Sequence, residues 1–383
     1  MLQWLIERAL RRGDAPPPQP AFPPGAFVAF VTYVDRAQLI TSKERLYSKL
    51  ASARLRVLIP AQHLAQHVPV WLVSPEELAS RPDLAHLGRP GAIVLGKLAA
   101  KDVVQKQDVL RQVLQNFERG KCPAALYADL SDDYAALGKE MGRRFLRDYQ
   151  KALGKWATLV VPCTELQRSL SRYARRGITV IEDPYEDERA QPVQVAASSP
   201  LRLTWFGSLG SLNIPLLEQA FDAIAAGFNG MAIRLETVTA NDIRAAVETM
   251  AGRLRARHPA FELTFTTWSL ASAWAAIQRS DFVLLPQDYR SGWGKVKSHN
   301  RMVSAIRGGR FAIASPIPAY EELAQYGWVG EDLSAGLRWA IAHPDEAARR
   351  VDEGQRYVEA RFAPDAVGRK WVEALGIPLD RAA

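Results

Sequence analysis

Residues 291–315, SGWGKVKSHNRMVSAIRGGRFAIAS, are the stretch on which the reading of this chain turns. They follow an apolar run at 281–287, DFVLLPQ, that reads as a buried strand ending at Pro286. A glycine-rich basic loop comes next, then a short helix that Ser298 can cap, then a second strand at 310–314. Lys295, Lys297 and Arg301 lie in the loop and the first turn. Cations beside the backbone N–H groups of a helix N-terminus make a site for a phosphate or diphosphate. The same residues also fit a solvated basic turn, since Lys and Arg are common on surfaces. The rest of the chain has to decide between the two.

With 383 residues the chain is long enough for two domains, each with its own core. Apolar residues make up 48% and charged residues 23%, which fits a globular protein rather than a disordered one. The 49 basic and 41 acidic residues leave a net charge of +8. That suits an anionic partner without choosing among phosphates, nucleic acid and an acidic membrane face. Cys122 and Cys163 each lie at an apolar strand without metal-ligand spacing, and read as buried free thiols. No secretory signal is evident, nor an apolar run of about 18 residues, so a reducing, cytoplasmic setting is expected.

The chain opens with MLQWLIERALRR (1–12), which has helical periodicity. It fits either a helix packed on the protein's own body or an interfacial anchor with Trp4 at headgroup level, and hence a peripheral membrane contact. A stiff proline-rich linker, 15–24, completes a segment 1–25. A first domain, 26–190, then alternates apolar β-rich runs with helical ones. The runs are 27–34, 68–74, 92–97, 124–130, 157–163 and 178–186, with helices at 42–67, 102–119, 134–153 and 164–177. Residues 54–59 also admit a strand running up to Pro60. A polar stretch, 187–200, has the composition of a linker. A second α/β series, 200–360, follows, and a helical tail runs from 332 to 375. Strands alternating with helices predict parallel, doubly wound sheets.

The second series begins with a strand, LRLTWFGS (201–208), and a turn, GSLGS (207–211), before a helix. Glycines there let a backbone approach a phosphate closely. It is neither a full G-x-G-x-x-G fingerprint nor a Walker A loop. In a doubly wound sheet, however, this turn and the one holding Lys297 and Arg301 open at the same strand ends, where ligands bind. In the first series, ADLSDDY (128–134) sets Asp129, Asp132 and Asp133 just past a strand. A carboxylate there can take a proton from a hydroxyl, or simply cap the next helix. His63 and His67 are four apart but lack a third metal ligand and read as core or surface histidines. His299 can donate to a phosphate or pack against the helix start. Lys97 lies at a strand end on the ligand side or in solvent, and Trp293 covers a ligand or fills a gap.

With these stretches in view, the chain resembles glycosyltransferases of the GT-B fold, in particular the nucleotide-sugar-dependent, mostly retaining group (family 4-like). LTWFGSLGS, TWSLASAWAAIQRSDFVLLP and KVKSHNRMVSAIRGGRFAIASPIPAYEEL carry the resemblance, with VVPCTELQRSL and VIEDPYE in the first half. It is strongest from 201 to 330. The resemblance implies two tandem Rossmann-like domains with a cleft between them, the first for the acceptor and the second for the donor. It implies a closing helix at 361–383 that crosses back to the first domain. Lys297 and Arg301 would then hold the diphosphate, together with Gly207 and Ser208. Lys295, Ser298, His299 and Asn300 would line the donor, Thr267 and Trp268 would meet the nucleoside, and Asp133 would serve the acceptor. One departure is clear. Many members carry two glutamates eight apart in this loop, and the corresponding residues are Val296 and Ser304.

The expected function is therefore transfer of a sugar from a nucleoside-diphosphate donor to a hydroxyl of a glycan or lipid-linked acceptor, in surface polysaccharide or glycoconjugate synthesis. No metal or other cofactor and no nucleic-acid partner are expected. The missing glutamates leave a second reading, an inactive homologue that binds a nucleotide or glycan as a partner protein.

Overall fold

The computed structural model describes residues 22–41, 48, 50–96, 107–136, 143–186, 188–195, 200–208, 214–228 and 230–378. The helix expected at 1–12, most of the proline-rich linker, Lys97, and Leu209 to Ser211 of the glycine turn lie outside these residues. The chain divides into two compact units, one of Met1–Pro184 with Pro364–Ala383 and one of Tyr185–Ala363.

The sheet of the first unit has seven strands among the described residues: β1 (Phe27–Val31), β2 (Gln38–Ile40), β3 (Val70–Val73), β4 (Pro90–Leu95), β5 (Ala125–Asp129), β6 (Thr158–Val161) and β7 (Ile178–Val180). Their order is β2-β3-β1-β4-β5-β6-β7. β1 and β4 are buried at every position, as strands covered on both faces must be, which is why they read as unbroken apolar runs. The sheet is not wholly parallel. Edge strand β2 runs antiparallel to β3, and its three residues, QLI, carry too little pattern to be read from sequence.

Residues 54–59 form no strand. Arg54–Leu58 is a π-helical turn between the helices Ala51–Ala53 and Ile59–Leu64. The N–H of Ile59 reaches back five residues to the carbonyl of Arg54. This widened turn makes room for Pro60, which lacks an N–H and would clash with the carbonyl four residues earlier in a tight helix. The helical tail is broken at Pro344 and Pro364 into Leu333–Ala342, Pro344–Phe362 and Pro364–Leu375. The last of these belongs to the first unit. Its Trp371 is fully buried, edge-on to Phe30 at 5.8 Å. The Tyr127 hydroxyl donates to the carbonyl of Ala374 at 2.9 Å.

In the second unit the strands are β8 (Leu201–Phe206), β9 (Ile233–Thr239), β10 (Phe261–Thr267), β11 (Phe282–Leu285), β12 (Phe311–Ala314) and β13 (Trp328–Val329), in the order β10-β9-β8-β11-β12-β13. All pair in parallel. β11 shows why FVLL has no polar residue: Phe282 and Leu284 enter one core cluster, Val283 and Leu285 the one on the opposite face. The polar stretch expected as a linker is bound to this unit over its described part. The N–H groups of Ala190 and Val193 donate to the carbonyls of Arg307 and Gly309 at 2.9 and 3.0 Å.

Candidate functional site

Strand order locates the site in the second unit. From β8 the chain builds β9 and β10 on one side, then returns to place β11 and β12 on the other. The switch lies between β8 and β11, and a crevice opens at the carboxyl ends of strands at such a point. Gly207 leaves β8 there with φ +147°, a conformation that side-chain-bearing residues rarely adopt. Gln287 leaves β11 after Pro286.

Arg301 bridges the two. A Cβ built on Gly207 would stand 3.3 Å from both Cδ and Nη1 of Arg301, so the bare glycine gives the guanidinium its place. Arg301 Nη2 donates to Gln287 Oε1, which fixes the guanidinium across the switch. Arg301 lies in the first turn of the helix Asn300–Arg307, whose N-cap residue, His299, makes no side-chain cap bond. The helix starts one residue later than Ser298 capping would require, so Ser298 stands before the cap rather than at it.

The loop ahead of this helix is folded by its own polar groups. Asp288 Oδ1 accepts from the N–H groups of Arg290 and Ser291 at 3.0 and 3.1 Å, and Ser291 Oγ accepts from Gly294 N–H at 3.0 Å. Burial would raise the Asp288 pKa, but these donors outweigh it and hold the carboxyl below its ordinary value. Gly294 passes so close to Asp288 that a Cβ would fall 1.6 Å from the Asp288 carbonyl oxygen. The Lys297 ammonium sits 3.8 Å from the centroid of the Trp293 ring, so Trp293 positions that cation. Lys295 is exposed, and Lys297, Ser298 and Asn300 are half-buried. Between Asp288 and Glu321 the sequence has six basic residues and no acidic one. Val296 is buried and Ser304 half-buried, so neither position offers a carboxylate.

His299, the N-cap residue of this helix, packs against Glu322 and Phe362. It is 1% exposed, its Nε2 lies 3.1 Å from Glu322 Oε2, and its ring lies 5.2 Å from that of Phe362. Glu322 is held in turn by Arg361 Nη2 at 2.8 Å. Thr267 ends β10 and Trp268 follows it, at the same carboxyl edge. Trp268 N–H donates to the Thr239 carbonyl at 2.7 Å, and the Thr267 carbonyl accepts from Ser272 Oγ at 2.9 Å. Nothing in the local sequence marks Gln287 or Glu322, because their roles depend on Arg301 and His299, 14 and 23 residues away.

In the first unit, Asp133 is 2% exposed, accepts from Ala136 N–H at 3.1 Å through Oδ1, and accepts from Ser169 Oγ through Oδ2. It is a capping residue of the turn Tyr134–Ala136. Asp129 is fully buried and receives Arg56 Nη2 at 2.5 Å, while Arg56 Nη1 donates to the Ile181 carbonyl at 2.5 Å and lies 3.3 Å from Asp183. Burial works against the Arg56 charge, and the two carboxylates outweigh it, leaving the pKa raised. Among the described residues, no group of three or more His, Cys, Asp or Glu is arranged to hold a metal ion. Nor is any described helix long and apolar enough to cross a membrane.

No family profile and no curated protein sequence matches the chain. Solved structures do. An α,α-trehalose-phosphate synthase (UDP-forming) from Burkholderia vietnamiensis superposes with a TM-score of 0.61 over 92% of this chain and 97% of that one, at 11% identity. The lipopolysaccharide outer core galactosyltransferase WaaB gives 0.57 over 91% and 99%, at 9% identity. TarM of S. aureus, in complex with fondaparinux, α-GlcNAc-glycerol and UDP, gives 0.55 at 10% identity. That match covers 78% of this chain, which spans 58% of TarM's length. The chain has the GT-B glycosyltransferase fold. At these identities the likeness carries the fold alone, and the chemistry rests on the residues described above.

Proposed function

We propose that this GT-B protein is a glycosyltransferase that moves a sugar from a nucleoside-diphosphate donor to a hydroxyl of a glycan or lipid-linked acceptor. The observation that carries this reading is the seating of Arg301 against Gly207 at the switch between β8 and β11. In the reading, the diphosphate occupies the crevice at these strand ends. Arg301, Lys297 and the N-terminus of the helix Asn300–Arg307 take the charge that develops as the sugar C1–O bond breaks. Gly207 and Ser208 supply close backbone approach, Thr267 and Trp268 border the nucleoside, and Lys295, Ser298 and Asn300 line the loop side. His299 acts behind them, holding the helix start on Glu322.

Retention at the sugar carbon, the reaction's place in surface polysaccharide or glycoconjugate synthesis, and a cytoplasmic setting belong to the same proposal. The UDP-forming synthase and the UDP-bound TarM among its structural relatives favour a uridine donor. No metal enters the reading, since the cations of the loop suffice to meet a diphosphate. Asp133 enters as a positioning residue that joins its own turn to Ser169. The test is to incubate the protein with UDP-, GDP-, ADP- and TDP-sugars and follow nucleoside diphosphate release, with and without an acceptor extract. Release from one class, lost in Arg301→Ala, supports the proposal; no release from any class counts against it.

Val296 and Ser304 support a second reading, a nucleotide-binding partner protein without turnover. Nucleotide binding that Arg301→Ala abolishes, with no sugar transferred to any acceptor, would favour it.

A further inference from the structure

The net charge of +8 is concentrated in one short region. Residues 143–177 hold nine basic residues against two acidic ones, leaving 40 against 39 in the rest of the chain. In the helix Arg143–Trp156, the cations Arg144, Arg147, Lys151 and Lys155 recur at intervals of three and four, which places them in a single stripe. Phe145, Tyr149 and Leu153, on the other side, are buried. The stripe is roughly 17 Å long at 1.5 Å per residue. Asp148 lies among the cations, 3.5 Å from Arg147 Nε and 3.9 Å from Arg144 Nε.

The loop before β7 widens this face. Arg175 N–H donates to the Gly154 carbonyl at 2.8 Å, which seats this loop against the end of the helix, and Arg172 shares the Tyr173 ring with Lys151 of the stripe. Two aromatic rings lie within it. Lys151 Nζ and the Arg172 guanidinium are 5.4 and 4.8 Å from the Tyr173 ring, and Lys155 Nζ is 4.3 Å from that of Trp156.

We infer that this face of the first unit docks on an anionic phospholipid bilayer. Long cationic side chains on a helix face suit a flat array of phosphate headgroups, and Trp and Tyr settle at headgroup level. Nucleic acid fits less well. Binding of single strands relies on bases stacking on open aromatic faces, and here the cations lie against both rings. A bilayer contact of this kind holds the enzyme where lipid-linked acceptors are found, yet it depends on neither donor nor acceptor and is tested without them.

The test is co-sedimentation of the full chain with phosphatidylcholine vesicles, with and without about one-third phosphatidylglycerol. Binding is expected to the anionic vesicles only, and to be lost at about 0.5 M salt. A cation near an anionic surface contributes roughly fivefold, about 1 kcal/mol, so replacing Arg144, Arg147, Lys151 and Lys155 by Gln lowers binding at least about tenfold. The same net change made at the exposed Arg234, Arg244, Arg255 and Arg338 of the other unit leaves binding intact. Asp148→Lys, which adds a cation to the stripe, strengthens binding by roughly tenfold and serves if the quadruple variant fails to fold. The inference is overturned if the two quadruple variants bind equally or if Asp148→Lys changes nothing. Equal binding to neutral vesicles overturns it too, as does binding of single-stranded DNA at salt that releases the vesicles.

Discussion

Arg301 occupies the space that a side chain on Gly207 would take, with Cδ and Nη1 both 3.3 Å from the position of the missing Cβ. The two residues lie 94 positions apart in sequence, in turns that leave neighbouring strands β8 and β11, or just beyond them. The contact therefore exists only once the sheet has formed. Gly207→Ala adds a methyl group against the guanidinium and strains a backbone at φ +147°. The expected cost is about 1–3 kcal/mol in stability. Nucleotide affinity falls as well, because Arg301 has to move. Thermal denaturation and a nucleotide titration on the same preparation check both effects.

Lys297 and Trp293 form the second cationic element of the loop, 3.8 Å apart. Trp293→Leu removes the ring that positions the ammonium but leaves its charge. Lys297→Gln removes the charge itself. Lys297→Gln should weaken nucleotide binding by about 1–2 kcal/mol and flatten its salt dependence, as a lost charge-assisted contact does. Trp293→Leu should cost less and keep the salt dependence. Titrations at two ionic strengths separate the two outcomes.

In the first unit, Arg56 is 1% exposed and its guanidinium serves Asp129, Asp183 and the Ile181 carbonyl. Arg56→Met leaves Asp129 buried without its cation, at an expected cost of about 3–5 kcal/mol. The double variant Arg56→Met/Asp129→Leu should recover much of that loss, since the uncompensated charge is gone. Urea denaturation of the single and double variants measures the difference.

His63 gives the first unit a pH dependence. Burial lowers its pKa below the ordinary value of 6.5, and Asp365, with Oδ1 3.3 Å from Nδ1, only partly offsets this. The ring faces Gly368, where a Cβ would come within 2.1 Å of it, so the closing helix leaves it no room to move. The folded protein thus resists protonating His63 more than the unfolded chain does. Its contribution is fully present above pH 6.5 and is lost as pH falls from there through the lowered folded pKa. The stability difference between wild type and His63→Asn should shrink in that direction. Equal differences at about pH 7.5 and pH 5.5 would contradict this assignment.

Much of the fold is legible in the sequence because buried parallel strands write themselves as apolar runs. FVLL of β11 and FAIA of β12 are examples, each buried at every position. The same logic fails for β2 and β13, edge strands of three and two residues with no run to read. It fails again at 54–59, where LRVLI suits a strand or a buried helix alike, and where Pro60 is accommodated by a π-turn that composition does not announce. At the site, the cations and the glycine are visible as residue types near strand ends. Gln287 as the holder of Arg301, and Glu322 as the partner of His299, are tertiary facts. Asp133 shows the converse: a carboxylate past a strand end looks chemical in sequence, yet Oδ1 holds the turn that follows and Oδ2 accepts from Ser169, 36 residues on, a partner the local sequence does not announce.

The central claim is that the β8–β11 crevice holds a nucleoside diphosphate through Arg301. The most direct measurement is calorimetric titration of the full chain with UDP, GDP, ADP and TDP, repeated on Arg301→Ala. The account predicts saturable heat with at least one of the four, weakened in Arg301→Ala by about 2 kcal/mol or more, as expected for a lost charge-assisted contact to a diphosphate. Absence of heat with all four nucleotides, or equal affinity in wild type and Arg301→Ala, would contradict it.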